Sequence, residues 1–137
     1  MADRTSATPD PAPGVRLGLP ATGRGAVASW GRRFLGLLVD WGIATLVGRA
    51  FLDGLGRETA PLVVFFVMQV LLVSTIGTSI GHAVTGIAVR RLDGRPVGFA
   101  LGTARAILLL LVVPPVVYDH DRRGLHDRAA QTVVVRR

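Results

Sequence analysis

One carboxylate lies inside an apolar stretch of the sequence. Asp40 ends the run Arg33-Phe-Leu-Gly-Leu-Leu-Val and is followed by Trp41. An aspartate near the middle of a membrane helix costs roughly 2.5–3.5 kcal/mol on insertion scales, so its presence indicates a use. On a helix, Arg33 and Asp40 share one face, about 10 Å apart along the axis. Two interpretations stay open: Asp40 holds helices together, or it takes part in moving ions or protons.

A second group of ionisable residues occurs near the C-terminus, in Asp119-His120-Asp121-Arg-Arg-Gly-Leu-His126-Asp127. Imidazoles and carboxylates are metal ligands and general bases. A glycine separates the two histidines, however, and the interleaved arginines repel a cation. This pattern is typical of a solvated tail, and no nucleophile-and-base constellation accompanies it. We therefore expect a protein that is not an enzyme and that has neither a metal site nor a cofactor.

Three apolar segments, at residues 34–52, 61–80 and 97–118, are each about as long as the ~20 residues that a helix needs to cross the hydrocarbon. Residues 61–76 carry no charge and are apolar on every face, which favours a membrane helix over a helix of a soluble protein. The sequence predicts an all-α membrane protein with about three transmembrane helices. Pro114-Pro115 breaks the third segment, which either crosses completely or re-enters as a broken hairpin.

The basic residues predict the orientation of this multi-pass protein in the cell membrane. All 16 are arginines, and the formal net charge is +7. The loop after the first span contains only Arg57, whereas five arginines lie at or before the start of that span: Arg4, Arg16, Arg24, Arg32 and Arg33. The amino terminus is therefore expected in the cytoplasm.

We assign residues 1–28 to a disordered cytoplasmic tail and residues 29–137 to the transmembrane domain with a basic C-terminal tail. The expected partner is the lipid bilayer, and nucleic acid is not expected.

The loop after the second span has small and polar residues at fixed spacing. They are Gly77, Ser79, Gly81, His82 and Gly86, followed by Val89 and an Asp93-Gly94 turn. With Arg33 seven residues before Asp40, and with Arg105 and the closing His126-Asp127 and Thr132, this order of motifs resembles the RDD family of small membrane proteins over about residues 30–135. Two positions differ from the family pattern. Ser79 replaces a threonine but keeps its hydroxyl, and His82 replaces a lysine. Histidine titrates near neutral pH, whereas lysine stays charged.

The resemblance implies a multi-span helical domain in which Arg33, Asp40, Arg105 and Asp127 are functional or structural, and it implies ion or solute transport for some relatives. An Arg105–Asp40 pair between helices explains the buried carboxylate with the fewest assumptions, and Gln69 is the second candidate partner. Three helices enclose no pore, so transport requires a homo-oligomer or a partner membrane protein. The alternative is an accessory or assembly protein without transport activity, whose charges are structural and whose basic loops contact anionic lipid.

Overall fold

The computed structural model of the protein describes residues 9–111, 121–123 and 125–137. This part of the chain is mostly helical, as expected, but it also contains an antiparallel pair of strands, so the strictly all-α prediction needs correction. The helices are α1 (Trp30–Phe51), α2 (Thr59–Ile76), α3 (Ile80–Val84), α4 (Gly98–Leu110) and α5 (Leu125–Ala129). The strands are β1 (Ile87–Arg91) and β2 (Thr132–Arg136), and short 3-10 turns occupy Val15–Leu17 and Asp53–Leu55.

Among the described helices, α1 and α2 are the two that are long and apolar enough to cross a membrane. They have 22 and 18 residues, or about 33 Å and 27 Å, against ~30 Å of hydrocarbon. They form an antiparallel hairpin, since Gly48 near the end of α1 packs on Ala60 and Pro61 at the start of α2. The second span ends earlier than predicted because Gly77 adopts a left-handed φ of 73° and terminates α2.

The two faces of α1 differ in the way a membrane requires. Its buried face carries small and charged residues spaced three or four apart, namely Arg33, Gly36, Asp40, Ala44 and Gly48. Its exposed face carries large apolar side chains, namely Trp30, Phe34, Leu35, Leu38, Leu46 and Phe51. A helix of a soluble protein has the opposite arrangement, with polar residues outward. The charges of Arg33 and Asp40 therefore face protein, whereas Arg32 and Arg49 are exposed near the two ends of the helix.

Within the described residues, the third apolar segment forms the helix α4. α4 has 13 residues, about 20 Å, which is less than the hydrocarbon thickness. The predicted break at Pro114-Pro115 lies outside the described residues. On its inner side α4 packs closely against α2, because a Cβ at Gly102 would overlap the Ser74 hydroxyl. Phe65 of α2, Leu109 of α4 and Ala44 of α1 form the apolar core between the three helices.

Strand β2 is buried on both faces. It pairs with β1 in the register Val89↔Val134, and on its other edge Val27 forms a bridge with Val135. Val134 packs with Val73 and Val97 of the helices, whereas Val133 and Val135 pack with Val27. Because alternate side chains are covered on both sides, the strand is a continuous run of β-branched residues. The N-terminal segment, β1 and β2 therefore lie together at one end of the α1–α2 hairpin.

The segment before α1 belongs to the folded domain. Its backbone exchanges hydrogen bonds with β2: Ala28 N–H donates to the Val134 carbonyl at 2.9 Å, and Arg136 N–H donates to the Ala26 carbonyl at 2.8 Å. Ala26, Val27 and Ala28 are buried. The tail predicted as disordered over residues 1–28 thus differs from the structure at its C-terminal end, because backbone pairing with a distant strand leaves no local sequence signal. Residues 1–8 lie outside the described part of the chain.

Helices α1 and α3 cross where both have glycine. A Cβ at Gly81 would overlap the Gly36 carbonyl oxygen, and a Cβ at Gly36 would lie 3.0 Å from His82 Cδ2. Only small residues allow this approach, which is a common packing device for helices in lipid.

Gly81→Ala should therefore destabilise the fold by about 1–3 kcal/mol, because the added methyl meets backbone rather than a movable side chain. The matched control is Gly42→Ala, since a Cβ at Gly42 meets nothing within 4 Å. It should be neutral or slightly stabilising, because alanine favours helix over glycine. Unfolding of the purified variants in detergent, followed by far-UV circular dichroism, measures both. Equal stabilities would show that the crossing tolerates a side chain.

Candidate functional site

Asp40 lies fully buried midway along α1 and accepts three hydrogen bonds. Its exposed fraction is 0%. The Gln69 amide nitrogen donates to Oδ2 at 3.0 Å, the Ser79 hydroxyl donates to the same oxygen at 2.5 Å, and the Gly81 N–H donates to Oδ1 at 2.7 Å. These donors replace the water that the carboxylate loses on burial. The predicted contact with Gln69 is confirmed.

The predicted Arg105–Asp40 pair needs correction. The Arg105 Nε donates to Asp127 Oδ1 at 3.1 Å. The reason is that α5 packs against α4 and brings Asp127 beside Arg105, while Ser79, Gly81 and Gln69 occupy the oxygens of Asp40. Arg105 remains near enough to Asp40 to attract it electrostatically.

The donors of Asp40 come from a local motif that follows α2. Ser79 is the N-cap of α3, and its oxygen accepts from the His82 N–H at 3.2 Å while its hydroxyl proton binds Asp40. One hydroxyl thus fixes the start of a helix and holds the carboxylate. Gly81 has no side chain, so its N–H can approach Asp40 across the α1–α3 crossing. Ser79 and Gly81 of the loop motif therefore donate hydrogen bonds directly to Asp40.

The other residues of the predicted loop motif support this arrangement. Gly77 ends α2, and its carbonyl accepts from the Val89 N–H at 2.7 Å. Gly86 has a left-handed φ of 70°, and its carbonyl accepts from the Arg137 N–H. His82, which follows the predicted second span directly, lies in α3 and is buried against Gly36.

Asp127 forms a second buried centre beside the first. It has an exposed fraction of 0%. It binds Arg33 of α1, whose Nη1 lies 3.3 Å from Oδ2, and Arg105 of α4, whose Nε lies 3.1 Å from Oδ1. One carboxylate therefore bridges two guanidinium groups from different helices. Removing one member of such a buried pair typically costs about 3–5 kcal/mol, because the partner keeps an uncompensated charge.

Arg33 also ties the sheet to the helices. Its Nε donates to the Ala28 carbonyl at 3.2 Å, and its Nη2 donates to the Val134 carbonyl at 3.3 Å. The planar guanidinium spreads its donors over three nitrogen atoms, all of which bind here, whereas a lysine has a single nitrogen. This side chain thus connects α1, the N-terminal segment, β2 and α5.

The buried charges of the site balance. Among the described residues, the buried aspartates and arginines are Arg33, Asp40, Arg105 and Asp127. Their charges sum to zero when both carboxylates are ionised, and to +1 when one is protonated. A proton or a cation that binds Asp40 therefore changes the net charge of a region with little water to screen it.

All four charged residues and all five loop residues could be identified from the sequence, but the hydrogen bonds and ion pairs between them could not. Ser79 and Gly81 were recognised as parts of a motif and missed as donors to Asp40. The i, i+7 spacing of Arg33 and Asp40 places them on one face, yet each binds a different partner. A run of β-branched residues at 132–135 was the available signal for a strand that returns the C-terminal segment, with Asp127, to Arg33.

Fold and site together define a small helical membrane domain, in which apolar helices surround buried arginines and aspartates and a two-stranded sheet covers one end. The family model of the RDD family matches residues 27–131, and the chain belongs to that family. This confirms the resemblance found from the motifs. No curated protein and no solved structure matches the chain.

Two double-mutant cycles separate the observed pairing from the one predicted first. Asp127→Ala with Arg105→Ala should show a coupling energy of about 0.5–3 kcal/mol, because the residues share a hydrogen-bonded ion pair. Asp40→Ala with Arg105→Ala should show a smaller one. Unfolding free energies in detergent give both values. Additive effects in the first cycle, or stronger coupling in the second, would contradict the assigned pairing.

Proposed function

We propose that this protein takes part in the transport of an ion or small solute across the cell membrane, and that Asp40 is the group that binds the transported proton or cation. The observation that carries the proposal is a carboxylate with no exposed surface, in the middle of an apolar helix of membrane-spanning length. Ionisable residues in such positions are rare and mark ion or proton pathways.

The surroundings of Asp40 suit a small cation or a proton. Its neighbours are an amide and a hydroxyl, which carry oxygens of the kind that hard cations prefer. The amide oxygen of Gln69 is buried and makes no hydrogen bond with any residue that the structure describes. It lies on the same amide that binds Asp40 through nitrogen. The site therefore offers a second oxygen acceptor next to the carboxylate.

The third apolar segment re-enters rather than crosses, and both chain ends lie in the cytoplasm. Three observations support this topology. α4 is too short to cross, Asp127 of α5 returns to Arg105 of α4, and β2 pairs with both β1 and residue 27. Arg49 and Arg57 lie near the α1–α2 turn, at one end of the two helices. Most of the other arginines lie near the start of α1 or around the two strands, at the opposite end. The excess of arginine favours the cytoplasm for that end.

A transport pathway requires more than one copy of the chain or a partner membrane protein. Two spans and one re-entrant segment pack around their own core and enclose no channel among the described residues. The exposed apolar faces of α1 and α2 supply surface for such an assembly. A homo-oligomer is the simplest form, because one surface then meets its own copy.

Single cysteines test the topology, since the chain contains none. Arg95→Cys and Arg137→Cys should react with an impermeant thiol reagent only from the cytoplasmic side, and Arg57→Cys only from the outside. Intact cells and inverted vesicles provide the two directions. Labelling of Arg137→Cys on the same side as Arg57→Cys would show a complete third span.

Reconstitution into proteoliposomes with pH-sensitive and ion-sensitive dyes tests transport. The parent should carry a flux that Asp40→Asn loses, because the amide keeps the shape but has no negative charge and takes up no proton near neutral pH. The matched control is Asp53→Asn, which removes an exposed carboxylate from the α1–α2 turn and should keep the flux. Ser79→Thr should also keep it, since the hydroxyl remains.

Two other outcomes are informative. Loss of flux in Asp53→Asn as well as Asp40→Asn would indicate a general effect of removing negative charge and not a role of Asp40 itself. Absence of flux from the parent would favour the alternative function, an accessory or assembly protein. The observation that favours this alternative is the Arg33–Asp127–Arg105 bridge, which joins distant parts of the chain and serves stability by itself.

A further inference from the structure

A cavity of about 370 Å³ opens beside the C-terminal end of α2, away from the buried charges. Its walls come from residues 75–77, from β1 and from the connection between β1 and α4. Its charged lining residues are Arg90, Arg91 and Arg95, and its apolar ones include Ile76, Val89, Pro96 and Val97. Neither the ion pairs of the core nor the proposed transport uses this cavity.

The arginines of the cavity carry more positive charge than the described residues neutralise. Arg91 pairs through Nη2 with Asp93 at 2.6 Å. Arg90 and Arg95 form no ion pair with any described residue. Two guanidinium groups in the wall of the cavity, those of Arg90 and Arg95, therefore have no counter-ion among the described residues, which favours an anion there.

Helix α4 adds to the positive potential. It begins at Gly98, next to the lining residue Val97, and its first N–H groups have no partner within the helix. The positive end of its dipole therefore lies beside the cavity. The C-terminal end of α2 also lines the cavity, and the Gly77 N–H satisfies one of its last carbonyls, that of Val73.

The position of the cavity favours a lipid as the source of the anion. Ile76, the last residue of a helix of membrane-spanning length, lines it and is exposed, and Phe99 is also exposed at the start of α4. An exposed apolar side chain and the arginines therefore lie in the wall of one cavity. A phospholipid likewise combines an acyl chain with a phosphate.

We propose that the cavity binds a phosphate group, and that in the membrane this phosphate belongs to an anionic phospholipid. Arginine suits phosphate because its planar donors bind two oxygens at once. The inference depends on the membrane location of α2 and not on transport.

Asp93 competes with the phosphate for Arg91. Its other oxygen, Oδ1, accepts from the Arg95 N–H at 3.0 Å and shapes the turn. Asp93→Asn keeps a carbonyl oxygen for that turn and removes the competing charge. This substitution should strengthen lipid binding, which a purely structural role of the arginines would not produce.

Native mass spectrometry of the detergent-purified full chain, titrated with dioleoylphosphatidylglycerol or dioleoylphosphatidylcholine, measures the affinity. Phosphatidylglycerol should bind more tightly. Arg90→Gln and Arg95→Gln, both at exposed side chains, should each weaken its binding about fivefold, the equivalent of ~1 kcal/mol per arginine. Arg91→Lys should weaken it although the charge remains, and Asp93→Asn should strengthen it.

Arg57→Gln is the matched control, because it removes an exposed arginine from the opposite end of the helices. It should leave lipid binding unchanged, and thermal unfolding checks that every variant is folded. Equal weakening by Arg57→Gln, or no effect of Arg90→Gln and Arg95→Gln, would overturn the site. Displacement of phosphatidylglycerol by equimolar inorganic phosphate would assign the cavity to a soluble phosphate and overturn the lipid assignment.

Discussion

The bridge from Asp127 to Arg33 and Arg105 holds the domain together. Arg33 and Asp127 are 94 residues apart in the chain, and Arg105 and Asp127 are 22 apart. No short-range preference brings them together, so the bridge forms only when α1, α4 and α5 have assembled. The two guanidinium groups can stay buried because the Asp127 carboxylate forms an ion pair with each of them. The hydrogen bonds from Arg33 to Ala28 and Val134 extend this dependence to the sheet.

The two buried aspartates differ in the kind of group that holds them. Asp127 lies between fixed positive charges, and its protonation would leave both arginines without a counter-charge. Asp40 is held by an amide, a hydroxyl and a backbone N–H, which are neutral. Neutral donors tolerate the loss of a negative charge better than cations do. We therefore infer that Asp127 has a structural role and that Asp40 is the aspartate whose charge can change.

The features that depend on local pattern could be predicted from the sequence. The apolar lengths of α1 and α2, the charged residues of the site and the family could be read from it, because each has a periodicity or a spacing. The pairing of Arg105 with Asp127 could not, because it depends on how α5 packs on α4. The strands were missed for a related reason: β2 is short, buried on both faces and paired with residues 41–49 positions away in β1 and 108 positions away at Val27. Such pairing has no period within its own segment.

The bridging position of Arg33 has a consequence for synthesis of the protein. Asp127 is translated 94 residues after Arg33, which takes roughly 5–20 s at ordinary ribosome speeds. During this interval α1 and α2 can enter the bilayer as a hairpin, while the guanidinium of Arg33 lies near the surface, where lipid phosphates can receive it. The arginine must later exchange these phosphates for Asp127 and the backbone of β2. Insertion and folding are thus separate stages, and the same side chain first holds one end of a helix at the membrane surface and later closes the domain.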